Sequence, residues 1–186
     1  SIWTSNKRIA IIGGGPAGCA CAKFLCDFGF KEVYIFEYGK LLRTILPTGG
    51  GRCNLAHAEY DNVSLAKNYP RGEKFLYSVF SKFATKNTIE MFKTMGIETY
   101  TQEDNRIFPT SNSSKEVREN FIKSLNCKVI KEKVNNISPN QNGYKIKTDK
   151  GTYSFDIVVI AIGGHSGYGI LSDLGINIIP PTQSLV

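Results

Sequence analysis

The sequence predicts an α/β fold built on a parallel β-sheet, because a strand, a helix and a second strand follow one another near its start. The apolar run Arg8–Ile12 is too short for a helix and is unbroken, as buried parallel strands are. After a glycine-rich hexapeptide, residues 17–28 are helix-compatible up to Gly29, which is a natural stop. Residues Lys31–Phe36 then read as a second strand, with Glu37 at its end. Such a unit of about thirty residues is a βαβ motif, whose strands are parallel.

The composition is that of an ordinary globular chain. Of the 186 residues, 41% are hydrophobic and 21% are charged, which argues against disorder, collagen and coiled coil. The longest apolar run, Ile157–Ile162, is too short to span a bilayer, and no secretory signal pattern is visible. The five cysteines are odd in number and form no CxxC pair, so a reducing, cytoplasmic location with no membrane contact and no metal site is expected. Three of them, Cys19, Cys21 and Cys26, are interpreted as core residues of one helix.

The positive charge does not point to one surface. The net charge is +7. The excess of basic over acidic residues is +3 in residues 1–60, +2 in residues 61–126 and +2 in residues 127–186, so it is spread along the chain. Nucleic-acid binding surfaces are usually more concentrated, so the sequence disfavours a nucleic-acid partner.

The hexapeptide after the first strand carries the dinucleotide-binding pattern Gly13-x-Gly15-x-x-Gly18. Gly13 permits a tight turn, Gly15 lets a pyrophosphate approach the backbone, and Gly18 lets helix and strand pack closely. The free N–H groups of the helix start would then face the anion. Glu37, 19 residues after Gly18, can accept hydrogen bonds from ribose hydroxyls and would repel a 2′-phosphate, which favours FAD or NAD over NADP. The alternative is a glycine turn without a ligand.

A second glycine cluster runs from Gly49 to Asn54 and suits a loop pressed against a flat or anionic group. Arg52 can pair with a phosphate, and Asn54 can hydrogen-bond the edge of a heterocycle. Cys53 is either a redox thiol or, the favoured interpretation, a packing residue.

The middle of the chain predicts helices. Helical spacing of apolar residues covers 73–83 and 88–95, with Gly96 ending the second, whereas residues 55–72 look irregular. Residues 106–109 form a brief extended piece, and Ser113 or Ser114 can cap a helix that runs to about Leu125.

The last third predicts strands again. Residues 128–137, 143–148 and 152–155 resemble a small antiparallel meander. The run Ile157–Ile162 is typical of a buried strand and ends at Gly163-Gly164. His165 follows at a strand end, where ligands of open α/β sheets lie, and is a candidate rim residue.

The chain resembles the YhiN/BaiN-like flavoproteins, also called aminoacetone oxidase-like FAD-binding enzymes. The resemblance covers nearly the whole chain through segments that occur in this order: IIGGGPAGCACA, VYIFE, LLRTILPTGGGRCNLA, FLYSVFSKFATKNTIEMFKTMGIE, RIFPTSNSSKEV, FDIVVIAIGGHS and PPTQSLV. GGGRCN with its flanks is much more specific than the GxGxxG pattern, because dinucleotide folds in general lack it.

This resemblance implies a three-layer FAD/NAD(P)-binding Rossmann-like fold with a parallel sheet, a helix layer and a β-meander. Residues 1–186 would be the N-terminal portion of an FAD-binding domain, with a helical excursion at about 73–126 and without the family's inserted and C-terminal segments. Family members are mostly bacterial and cytosolic, their substrates are varied or unknown, and NAD(P)H is often the proposed reductant.

The resemblance also implies which positions hold FAD. The pyrophosphate and ribose positions are Gly13, Gly15, Pro16, Ala17, Gly18 and Glu37. The pyrophosphate and flavin side is lined by Gly49, Gly50, Gly51, Arg52, Cys53 and Asn54. The backbone of Val134, in the strand after the long helix, would meet adenine, and Ala161, Gly163 and Gly164 would lie near the flavin.

The chain departs from the family pattern at several positions. Leu42 stands where the family has glycine, Thr44 where it has lysine and Ile162 where it has threonine, and the stretch after Ser166 is shortened. Two hypotheses therefore stay open. One is an FAD-dependent oxidoreductase of unknown substrate that is incomplete by itself. The other is a non-catalytic or remnant dinucleotide-binding module, or one subunit of a split flavoenzyme, with a C-terminal partner chain or self-association as the expected contact.

Overall fold

The computed structural model describes residues 6–45, 64–66, 78–79, 81–83, 88–162 and 178–179. The elements, in chain order, are β1 (Arg8–Ile12), α1 (Pro16–Phe28), β2 (Glu32–Phe36), a 3-10 turn (Arg43–Ile45), β3 (Ser64–Ala66), α2 (Thr88–Thr94), β4 (Thr99–Thr101), β5 (Ile107–Pro109), α3 (Ser114–Lys123), β6 (Lys128–Ile130), β7 (Val134–Pro139), β8 (Tyr144–Thr148), β9 (Thr152–Phe155), β10 (Ile157–Ile160) and β11 (Ile178–Ile179).

A six-stranded sheet forms the middle of the fold, in the order β11-β3-β10-β1-β2-β6. Strands β10, β1, β2 and β6 are parallel, whereas β3 is antiparallel to β10 and β11 is antiparallel to β3. Ile12 lies opposite both Ile160 and Phe36, and Phe36 lies opposite Ile130. The four parallel strands therefore end together, and we call this end the carboxyl edge of the sheet.

The two faces of the sheet are buried against different layers. Side chains alternate along a strand, so Ile9 and Ile11 of β1 join one core, and Ala10 and Ile12 join another. The first core holds the buried residues of the helices α1, α2 and α3. The second core holds the inward side chains of a three-stranded antiparallel meander, β7-β8-β9. This arrangement confirms the predicted order of helix layer, sheet and meander.

Helix α1 begins and ends where the sequence predicts. Pro16 occupies its first turn, and Gly29 ends it with φ 125°, donating its N–H to Leu25 and Cys26. Cys19 and Cys21 are fully buried, and burial raises the pKa of both thiols. These two cysteines are therefore core residues, as expected.

The helices of the middle region are partly confirmed. Residues 78–79 and 81–83 are helical, and the rest of the predicted 73–83 helix lies outside the described residues. Helix α2 ends at Thr94, before Gly96 with φ 77°. Ser113 caps α3 by accepting the N–H of Glu116 at 3.1 Å.

Three strand predictions are corrected. Residues 128–137 are not one meander strand, because 128–130 complete the parallel sheet as β6 and only β7 belongs to the meander. The charged residues between the two strands cross from one layer to the other. Residues 64–66, predicted as irregular, form β3 by pairing with β10, which only tertiary structure reveals. The strand predicted for 157–162 ends at Ile160.

From the packing of the helix-side core, we predict that two alanine substitutions differ in their effect on stability. Phe121 is fully buried, and its ring meets that of Phe92 edge-on at a centroid distance of 5.9 Å. We expect Phe121→Ala to lower the free energy of unfolding by about 3–5 kcal/mol in urea denaturation, because it leaves a cavity. Ile89→Ala is the control: Ile89 is 40% exposed, so its loss should cost less than about 1 kcal/mol. Equal losses would contradict this account of the core.

Candidate functional site

The glycine turn between β1 and α1 is held by contacts that exclude side chains. Gly13 has φ 113°, and a Cβ there would lie closer than 3.0 Å to the backbone of Ala161. A Cβ on Gly18 would lie closer than 3.0 Å to the carbonyl oxygen of Gly13. The Ala161 N–H donates to the Ile12 carbonyl at 2.8 Å, which fixes the end of β10 beside the turn. Two of the three motif glycines are thus required by the fold itself.

Gly14 is also enclosed by protein. A Cβ there would meet the side chains of Leu41 and Glu37 at 2.7 and 2.8 Å. Its N–H donates to Glu37 Oε1 at 3.0 Å, and its carbonyl accepts the Leu42 N–H at 2.8 Å. The turn is therefore tied to both the end of β2 and the connection that follows it.

Gly15 differs from these neighbours because no other part of the described chain encloses it. A Cβ there would have no atom of the described residues within 4 Å, and its φ of −77° suits any residue. No side chain caps the helix at this point. Among the described residues, the N–H groups of Ala17 and Gly18 have no hydrogen-bond acceptor. The described fold does not require a glycine at this position. The absence of a side chain would, however, let an anionic group approach the unsatisfied amides of the helix start.

The carboxylate of Glu37 lies against the glycine turn at Gly14, the residue next to Gly15 in sequence. Glu37 follows β2 at the carboxyl edge, and its N–H donates to the Ile130 carbonyl at 3.0 Å. Its Oε1 accepts from Gly14 and its Oε2 from Gly39, at 3.0 and 2.9 Å. A carboxylate has about four acceptor positions, so these two bonds orient the group and leave capacity for hydroxyl donors.

The connection after Glu37 packs back onto the glycine turn. Leu42 is fully buried with φ 56°, a left-handed conformation, at the position where the resemblance places a glycine. Arg118 of α3 donates from Nε to the Leu41 carbonyl at 2.9 Å. Helix α3 therefore supports the outer wall of the turn. The sequence does not predict this contact.

A second polar cluster, which sequence reasoning missed, lies where the chain crosses from β6 to β7. Glu132 accepts from the hydroxyls of Thr148 and Tyr153, each at 2.7 Å. The hydrogen bonds from Thr148 and Tyr153 lower the pKa of the Glu132 carboxyl, and the bond to Glu132 raises the pKa of the Tyr153 phenol. In the sequence, Glu132 stands in a Lys-Glu-Lys run and looks like a solvated residue. The only sequence signal for this cluster is the alternation of β8, which turns Thr148 inward.

The structure brings together several residues that the sequence singled out, namely Gly13, Gly15, Pro16, Ala17, Gly18, Glu37 and Ala161. Val134 was predicted to lie in the strand after the long helix, and this prediction is wrong, because the strand after that helix is β6. It begins β7, opposite Thr148. The other predicted positions lie outside the described residues: Gly49, Gly50, Gly51, Arg52, Cys53, Asn54, Gly163, Gly164 and His165.

Other types of site find little support in the described part of the chain. It contains no group of three or more His, Cys, Asp or Glu side chains placed to hold a metal ion. None of its helices has the length and apolar character needed to cross a membrane. A cavity of about 300 Å³ lies between α1 and α2, lined by residues that include Lys23, Phe28 and Met91. It is formed by the second half of α1 and not by the glycine turn.

Comparison with known proteins finds relatives that match nearly the whole of this chain. The chain is 29% identical to the 3-dehydro-bile acid delta(4,6)-reductase of Clostridium scindens, over 97% of this chain and 47% of that protein. It is 28% identical to the ribosomal RNA dihydrouridine synthase of Haemophilus influenzae, over 95% and 47%. The structure of glycine oxidase from Geobacillus kaustophilus aligns with a TM-score of 0.49 and 15% identity, over 92% and 59% of the two chains.

The chain spans about half the length of the curated relatives it matches. The model of the HI0933-like protein Rossmann domain matches residues 7–183, nearly the whole chain. This match confirms the resemblance drawn from the glycine motifs: the chain belongs to the HI0933-like family.

Proposed function

We propose that this chain is the dinucleotide-binding part of an FAD-dependent oxidoreductase. The observation that carries the proposal is the helix start at Gly15, where the described residues leave the Cβ position open and the amides of Ala17 and Gly18 without an acceptor, with the carboxylate of Glu37 bonded to the adjacent Gly14. An anion and a sugar bound side by side would satisfy both features. FAD contains such a pair in its diphosphate and adenosine ribose.

The helix start suits the diphosphate. The first N–H groups of α1 point out of the helix, and its dipole adds partial positive charge. Pro16 has no N–H to satisfy, and Gly15 presents no side chain to a phosphate oxygen. Glu37 then suits the ribose, because its remaining acceptor positions can take both hydroxyls. Its negative charge would repel a 2′-phosphate, which favours FAD over a phosphorylated dinucleotide.

The flavin end would lie on the side of β10. Ala161 leaves the carboxyl edge beside Gly13, and Gly163 and Gly164 follow it in sequence. We assign these residues, with Gly49 to Asn54, to the flavin side on the basis of the family resemblance. When bound, FAD supplies the redox chemistry, and the protein supplies binding, orientation and electrostatics.

The names of two relatives support a reductive activity, since one is a reductase of a dehydro-bile acid and another forms dihydrouridine. Both are about twice the length of this chain, so we propose that catalysis also uses residues beyond these 186, within the same polypeptide or a partner.

Flavin binding is tested by incubating the purified chain with FAD and removing the free cofactor. We expect a yellow protein with absorbance at about 450 nm, the signature of bound flavin. Protein that stays colourless and leaves FAD fluorescence unchanged would overturn the proposal. Bound FAD that neither NADH nor NADPH reduces would instead favour a non-catalytic module or one subunit of a split enzyme.

Two glycine substitutions separate binding from folding. Gly15→Ala should change the free energy of unfolding by less than about 0.5 kcal/mol, because the added methyl meets no atom of the described residues. It should weaken FAD binding at least about tenfold in a fluorescence titration, because the methyl occupies the place of the diphosphate. Gly18→Ala is the matched variant and should lower stability by about 1–3 kcal/mol or more, because its methyl meets the Gly13 carbonyl. Unchanged FAD affinity in Gly15→Ala would contradict the assignment.

The role of Glu37 is tested by comparing ADP-ribose with its 2′-phosphorylated form. We expect Glu37→Gln to bind ADP-ribose about five- to tenfold more weakly, because hydrogen bonds to charged acceptors are the stronger ones. The preference against the 2′-phosphate should shrink, because the repelling charge is gone. Glu32→Gln makes the same charge change at the opposite end of β2 and should leave both affinities within twofold. A preference that persists in Glu37→Gln would exclude the proposed ribose contact.

A further inference from the structure

We infer that Glu132 is a positioning residue for the adenine end of the dinucleotide site: with Thr148 and Tyr153 it fixes the crossover of residues 131–133 beside Glu37. This inference rests on the proposed function and adds a residue that neither the motifs nor the comparisons assign. We call Glu132, Thr148 and Tyr153 the crossover clamp.

The sheet places the crossover next to the ribose position. Strands β1, β2 and β6 are neighbours, and they release the glycine turn, Glu37 and Lys131 at the same edge. The bond from the Glu37 N–H to the Ile130 carbonyl joins the second and third of these strand ends. Neighbouring strands lie about 4.8 Å apart, so a nucleotide with its diphosphate at the first end and its ribose at the second carries its base to the third.

The clamp holds this third strand end from the meander side. The Tyr153 hydroxyl lies 2.7 Å from both carboxylate oxygens of Glu132, and the Thr148 hydroxyl lies 2.7 Å from Oε1. The Thr148 oxygen also accepts the N–H groups of Lys150 and Gly151, each at 3.1 Å, so the clamp is anchored in the β8–β9 hairpin. Glu132 thus joins the crossover to the most regular part of the meander.

The clamp also reaches the end of β2 through aromatic packing. The Tyr153 ring meets Phe36 edge-on at a centroid distance of 5.4 Å, and Phe36 directly precedes Glu37. At the other end of the crossover, the Lys133 ammonium lies 5.7 Å from the ring centroid of Tyr38, which is 69% exposed. The two neighbours of Glu37 are therefore held from both sides, Phe36 by Tyr153 of the clamp and Tyr38 by Lys133 of the crossover, so the backbone position of the crossover and that of the ribose-binding carboxylate are linked.

A fixed backbone at this place suits recognition of a purine. Peptide N–H and C=O groups can hydrogen-bond the edge of adenine only if the segment that carries them is ordered beforehand. The apolar core of the meander is formed by other side chains, including Ile137, Ile146 and Phe155. Losing the clamp should therefore loosen the crossover more than it unfolds the meander.

The test compares ADP with UDP, which share the diphosphate and ribose and differ in the base. We expect Glu132→Gln and Tyr153→Phe each to weaken ADP binding about tenfold in calorimetric titrations, because the first removes the charge from the acceptor and the second removes the donor of the same hydrogen bond. UDP binding should change less than threefold, so the preference for ADP should fall. The double variant should lose less than the sum of the two single losses, because both substitutions weaken the same interaction.

Asp149→Asn is the matched control, since it removes one negative charge from the same hairpin outside the clamp. It should bind ADP and UDP within twofold of wild type. Equal weakening of both nucleotides in Glu132→Gln, or unchanged ADP binding, would overturn the inference while leaving the proposed function intact. Wild-type protein that binds neither FAD nor ADP would overturn both.

Discussion

The close approach of helix α1 to the turn before it is the constraint on which the rest of the site depends. Gly18 lies so near the Gly13 carbonyl, and Gly13 so near Ala161, that neither position admits a Cβ. These contacts press the helix start against the ends of β1 and β10. The amides of the first turn consequently open onto the carboxyl edge of the sheet, where Glu37 lies. Without that approach the amides and the carboxylate would not face the same space.

The sheet carries this local geometry to the other layers. Because β1 buries alternate side chains on opposite faces, the helices pack on one side and the meander on the other. The glycine turn, Glu37 and the 131–133 crossover leave three adjacent strands in order, so a linear ligand can contact all of them in turn. The same register explains why a meander residue such as Tyr153 influences the end of β2.

The sequence predicts those parts of the fold whose signals are local. Pro16 and Gly29 mark the ends of α1, Ser113 caps α3, and unbroken apolar runs identify β1 and β10. It does not predict pairings that depend on distant residues, such as β3 beside β10 or the division of residues 128–137 between two sheets. The candidate site divides in the same way. Its glycines follow a spacing rule, whereas Glu132 acquires its partners only when the hairpin that carries Thr148 and Tyr153 folds over it.

Leu42 shows how a departure from the family pattern can leave the site geometry intact. The left-handed backbone at this position suits glycine, and a leucine there costs about 1–2 kcal/mol. The leucine side chain is fully buried, which contributes roughly 1.5–3 kcal/mol in the opposite direction. The two effects are of similar size, so the loop keeps the conformation in which the Leu42 N–H bonds to the Gly14 carbonyl. That bond holds the turn beneath Glu37. The leucine therefore changes how the wall of the site is stabilised. The arrangement of the glycine turn and the Glu37 carboxylate stays compatible with a bound dinucleotide.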